Sequence, residues 1–210
     1  MATSSGYIAF EGNKRIAAGP LAQVALKARE AIEARAQTRI LVFDQATSEQ
    51  VDFDYRGTPE QMLQRLAPLS GIPSAHAEPP PANSTAPAGP GRPKLGVVAR
   101  EVTLLPRHWE WLGGQPGGAS VALRKLVEQA KRANQSTDAV RAAQEATYRF
   151  MSAMAGDLGG FEEAARALFA ADRGRFDALI APWPSDIRTH LQHLAGVALD
   201  ANAIRENNHG

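Results

Sequence analysis

Ile40 through Tyr55, ILVFDQATSEQVDFDY, is the stretch on which the fold turns. Its first four residues are uninterrupted apolar side chains, the composition of a strand buried on both faces. Asp44 to Ser48 is turn-prone, and Val51-Asp52-Phe53-Asp54-Tyr55 then alternates with the period of two of a half-wet strand. The pair predicts a hairpin. Toward the N-terminus, Tyr7 to Phe10 and Arg15 to Ala18 flank the Gly12-Asn13 pair, which predicts two more short strands. Pro20 then opens a helix whose Leu21, Val24, Ala25, Ala28, Ala31 and Ile32 recur at helical spacing. Beyond Tyr55, Thr58 is placed to cap a helix with Pro59 at its first position, and Met62, Leu63 and Leu66 supply its buried side. The order ββαββα predicts an α+β domain over residues 1–69, one small antiparallel sheet with helices on one face.

Residues 70–94 change character. Pro, Ala, Ser and Gly dominate, with Pro79-Pro80-Pro81 in the middle, and such a segment buries too little to offset its ordering entropy. It reads as a flexible linker between two domains. Residues 95–204 then predict a mainly α-helical domain that opens with a strand-helix-helix unit. Val97 to Leu105 is strand-like, Pro106 starts a short helix carrying Trp109 and Trp111, and Gly113-Gly114-Gln115-Pro116-Gly117-Gly118 stops it. Ser120 is expected to cap a helix with a Leu123, Leu126, Val127, Ala130 seam. A separate helix is expected over about Thr137 to Ala155, with further helices over Phe161 to Ala171, Arg175 to Ala181 and Pro184 to about Asn202. Residues 205–210 read as a frayed, disordered tail.

Composition bounds the function. The 44% hydrophobic and 21% charged content is that of a globular chain able to build a core. There is no cysteine, which removes disulfides, thiolate nucleophiles and Cys-type zinc sites, and favours the cytoplasm. The opening MATSSGYIAFEG has neither a basic n-region nor a long apolar h-region, and no window is apolar enough to span a membrane. The net charge of +1 hides an asymmetry. Residues 92–132 carry eight Lys/Arg against Glu101, Glu110 and Glu128, while residues 133–210 carry seven Lys/Arg against ten Asp/Glu.

That basic island is the leading candidate site. Strand, short helix, glycine turn and a second helix together resemble a ribbon-helix-helix unit, in which two chains pair strands into a ribbon that enters the major groove. The resemblance implies Arg100, Glu101 and Thr103 on or near the ribbon, and Ser120, Arg124 and Lys125 at a helix start facing phosphate. It covers about 35 residues, and it departs at the short first helix and at Glu101, whose charge phosphate repels. Upstream, Gly91-Arg92-Pro93-Lys94 is similar to the core of an AT-hook, with Pro90 where that pattern has Arg. The candidate nucleic-acid-binding set is therefore Arg92, Lys94, Arg100, Thr103, Arg107, Ser120, Arg124 and Lys125. The bland counterpart is a strand and two helices with a solvated basic face. Trp109 and Trp111 mark the alternative, a surface that docks a protein partner.

Other groupings read as structure. Asp186, His190 and His193 share one helix face at metal-ligand spacing, but one helix rarely closes a site, and they read as partly exposed helix residues. Glu162-Glu163, Asp157 and Asp172 fit helix-start acids better than an acid–base pair. Trp109, Trp111, Phe150, Phe161, Phe169, Phe176 and Trp183 read as core. No phosphate loop, dinucleotide fingerprint, G-x-S-x-G or HExxH occurs, so neither an enzyme nor a cofactor is expected.

At Leu41-Val42-Phe43-Asp44, Val51-Asp52-Phe53-Asp54 and Gly91-Arg92-Pro93-Lys94-Leu95-Gly96-Val97-Val98 the chain resembles a bacterial family, domain of unknown function 2239. Arg100 to Leu112, Gln115 to Val127, Tyr148 to Leu158, Phe161 to Phe169, Pro182-Trp183-Pro184 and Asp186-Ile187-Arg188 carry the resemblance further. It spans nearly the whole chain, and implies a bacterial cytoplasmic protein and no particular reaction. The sequence thus points to a DNA-binding or regulatory protein that acts through residues 91–132, within a homodimer. An adaptor module with a protein partner and no nucleic acid is the rival.

Overall fold

A computed structural model describes residues 6–34, 39–66 and 100–207, with side chains as far as residue 200. The fold is α+β, with a three-stranded antiparallel sheet followed by mostly helical chain. The expected linker, and with it Arg92 and Lys94, lies outside the described residues. Two compact units emerge, one formed by residues 1–74 with 136–210 and the other by residues 75–135.

In the first unit, β1 (Tyr7–Glu11) and β2 (Lys14–Gly19) form a hairpin around Gly12, whose φ of +55° suits a tight turn. β1 is the central strand, with β3 (Ile40–Asp44) on its other side, in the order β2-β1-β3. Tyr7 opposes Asp44 and Glu11 opposes Ile40. Alternation sends Ala9 and Val42 to one face, against Val24 and Ala28 of α1 (Leu21–Ala34). It sends Ile8, Phe10, Leu41 and Phe43 to the other. Neither face of β1 or β3 is left wet, which explains their continuous apolar runs.

The second face is covered from far along the chain. α4 (Gly118–Ala155), α5 (Phe161–Phe169), α6 (Arg173–Ile180) and α7 (Ser185–Asn207) bring Phe150, Leu168, Phe176, Ile187 and Leu191 into one core with Phe10 and Phe43. The rings of Phe10 and Phe43 lie 5.3 and 5.2 Å from that of Phe150. Residues 136–200 therefore share a core with the sheet rather than with residues 100–135, whereas the sequence reading grouped all of residues 95–204 in one domain. Burial of the sheet's second face is the physical reason.

Local signals hold where side chains dictate backbone. α2 (Pro59–Leu66) begins with a reciprocal cap, in which the Gln61 N–H donates to Thr58 Oγ1 (3.3 Å) and the Thr58 N–H to Gln61 Oε1 (3.0 Å). The Asp172 carboxylate accepts the Arg175 N–H at 3.0 Å and caps α6. Five expectations need correction. Val51 to Tyr55 forms no strand. Its pairing stops at a single bridge, Phe43 with Gln50, although Phe53 and Tyr55 still pack inward with ring centroids 4.6 Å apart. Arg100 to Leu105 likewise pairs with no described strand, and the first three residues of that expected strand, 97–99, lie outside the described residues. Ser120 is not a cap, because α4 already starts at Gly118. The two helices expected between residues 120 and 155 are one, because no Gly or Pro interrupts 119–155 and the polar Ser136-Thr137-Asp138 lies on an exposed turn that need not stop a helix. α7 also continues to Asn207, into the expected tail.

Candidate nucleic-acid interface

The described part of the second unit is slight. Residues 100–105 lead into α3 (Pro106–Gly113), with Leu105 extended at φ −66° and ψ 148°. Among these residues through Gln135, only Leu112 and Ala122 are buried side chains of the apolar core. Val102, Leu105, Leu126 and Val127 are exposed, as are Trp109 (43%) and Trp111 (54%), so the two tryptophans expected in a core are on the surface. Phe169 is exposed as well, whereas Phe150, Phe176 and Trp183 are core as expected. An apolar recess of about 270 Å³ opens between Leu104, His108, Trp111, Leu112, Leu123 and Leu126. No backbone hydrogen bond holds residues 100–104 to any described residue.

α4 has two faces over its first four turns. At about 100° per residue, Ser120, Arg124 and Lys131 fall on one stripe, and Lys125 and Arg132 on a second stripe roughly 100° round. Ala122, Leu123, Leu126 and Ala130 occupy the remainder. Glu128 stands between the two basic stripes.

Arg100, Thr103, Arg107, Ser120, Arg124 and Lys125 are all exposed. Arg124 Nε donates to the Ser120 carbonyl at 3.0 Å. None of the six described bases from Arg100 to Arg132 is in an ion pair with a described residue, whereas Arg29, Arg141, Arg166 and Arg173 of the first unit all meet carboxylates. At the start of α4, Gly117 and Gly118 have no side chain to cap its first N–H groups.

Asp186, His190 and His193 are not brought together as one set of ligands. Asp186 Oδ2 accepts the Arg15 backbone N–H at 2.9 Å. His190 is buried rather than partly exposed, because α7 turns the Ile187, His190, Leu191, Leu194 face inward. Among the described residues no group of three His, Cys, Asp or Glu could hold a metal ion, and no helix is long and apolar enough to cross a membrane.

Comparison with known families gives a match over residues 6–195, from β1 into α7, to the model described as an uncharacterized protein conserved in bacteria, DUF2239. The chain belongs to that family. No curated protein and no solved structure matches it. The DUF2239 match takes in both units, so the sheet and the basic segment are parts of one family-wide chain.

Sequence reasoning missed one feature, a cleft of about 490 Å³ in the first unit that includes Arg39 and Asp157. Nothing local marks it, because its walls come from the first hairpin, β3 and the end of α4.

Proposed function

We propose that this DUF2239 protein binds DNA through residues 91–132, as a pair of chains. The carrying observation is the exposed Ser120-Arg124-Lys131 stripe, whose bases meet no described carboxylate, beside a helix start where Gly117 and Gly118 offer no side chain. Phosphate suits both, since the helix N-terminus and the guanidinium each offer donors and positive potential. Arg100, Thr103 and Arg107 extend the set, and Arg92 and Lys94 would add two charges upstream. Pairing of chains is supported by the opposite face of α4. The described residues of this segment bury only two apolar side chains, and the extended stretch, unpaired with any described residue, and the apolar recess are the features a second copy would cover. The test is anisotropy of a labelled duplex at several salt concentrations. If about five phosphates are neutralised, log affinity falls with log salt at a slope near −4 to −5. A flat response, or no binding at low salt, rejects the reading.

The exposure of Trp109 and Trp111 supports a second reading, in which this face docks a different protein and the bases only solvate α4. Retention of a defined partner after nuclease treatment, with loss on Trp111→Ala, would select it.

A further inference from the structure

The first unit carries a cleft that the DNA reading does not use. It lies where the Gly12-Asn13 turn, the entry to β3 and the C-terminal end of α4 meet, and its volume is about 490 Å³. Its apolar lining is aliphatic, from Leu41, Met154 and Leu158. Arg39 and Asp157 line it with opposite charges, yet neither is in an ion pair with the other or with any described residue. Two opposite charges that share a cleft without meeting leave room for a molecule carrying both.

The remaining polar groups divide the same way. Asn13 lies in the turn next to Gly12, whose N–H donates to the Arg39 carbonyl at 3.2 Å, and its amide has no partner among the described residues. That hairpin and β3 wall offers donors to an anion. On the α4 wall, the Ser152 hydroxyl donates to the Tyr148 carbonyl at 2.8 Å, which leaves its oxygen free to accept. The carbonyls of α4's last turn add negative potential on the wall that carries Asp157, so this wall suits a cation. Gly156 is closely fitted, since a Cβ there would stand 3.0 Å from the Ser152 carbonyl oxygen.

We propose that this cleft binds a small zwitterion with an aliphatic tail, of free amino-acid or dipeptide size. Its carboxylate lies on Arg39 and Asn13, its ammonium on Asp157 and Ser152, and its tail on Leu41, Met154 and Leu158. This proposal is independent of DNA binding.

Calorimetry on the full chain with leucine and with leucyl-leucine tests it, alongside their N-acetyl and amide derivatives, which remove one charge at a time. Binding of either zwitterion, at least about tenfold tighter than both of its derivatives, is the expected result. Arg39→Gln should abolish the advantage over the amide while keeping that over the N-acetyl form, and Asp157→Asn should do the reverse. No heat at about 10 mM of any ligand, or equal affinity for zwitterion and derivatives, overturns the proposal. The ligand series on the unaltered protein decides this even where a variant misfolds.

Discussion

The His190 ring stands edge-on to Phe150, centroids 4.5 Å apart and planes at 74°, with its Nε2 buried and unpartnered among described atoms. Burial pushes the imidazole down from 6.5 to about 4, helped by His193 and then Arg15. Between these values the unfolded chain binds the proton and the folded one does not. Stability from this group is therefore complete above about pH 6.5 and is lost as pH falls toward 4, by about 3 kcal/mol in all. The stability difference between the parent and His190→Phe, from urea midpoints at pH 7 and pH 4, isolates it from the carboxylates. A difference that does not move with pH would show that His190 is not held neutral.

Phe150 joins the sheet to the helices through Phe10 and Phe43. Phe150→Ala should cost about 3–5 kcal/mol. Because the same ring supports both layers, sheet and helix signals should be lost together on urea titration, and separate transitions would contradict the shared core.

Trp183 Nε1 donates to the Gly159 carbonyl at 2.9 Å and fixes the turn between α4 and α5. Trp183→Phe keeps most of the apolar surface and orphans that carbonyl, at a cost of about 1–2 kcal/mol. Equal melting of parent and variant would mean that water replaces the indole.

On the basic stripe, Arg124→Ala and Lys131→Ala should each reduce the salt slope of DNA binding by about 1 for every phosphate left without its cation, with unchanged thermal stability. Arg166→Ala, which removes the same charge from α5 of the first unit, serves as the control. An equal response from all three variants would point to charge in general rather than this surface.

Pairing of chains is read by sedimentation. Trp111→Ala and Leu126→Ala remove surface from the recess and should weaken a dimer by about tenfold or more. A parent chain that sediments as a monomer at every concentration rejects pairing outright.

Signals carried by a few neighbouring residues were legible in the sequence. Pro20, Thr58-Pro59, Pro106 and the glycines from 113 to 118 each fix backbone within a turn of themselves, and the helices begin and end beside them. Phe53 and Tyr55 show the limit of periodicity, since alternation names the side that faces inward but cannot supply a partner edge. Packing over distance was not legible. Nothing near Phe150 says that it rests on Phe10 rather than on Leu123, and hydrophobic spacing cannot tell an occupied seam from the exposed Leu126 and Val127. The basic island was visible as composition, but that its six described bases meet no described carboxylate is a property of placement alone.

The core that Phe10 and Phe43 share with Phe150 also sets an order of events during synthesis. The hairpin and β3 leave the ribosome while their aromatic side still lacks its cover, about 100 residues upstream of the helix that supplies it. At about 5–20 residues per second that side waits several seconds or more. A newly made chain is thus most vulnerable to clumping before its second half arrives, and rare codons in that later half would lengthen the hazard.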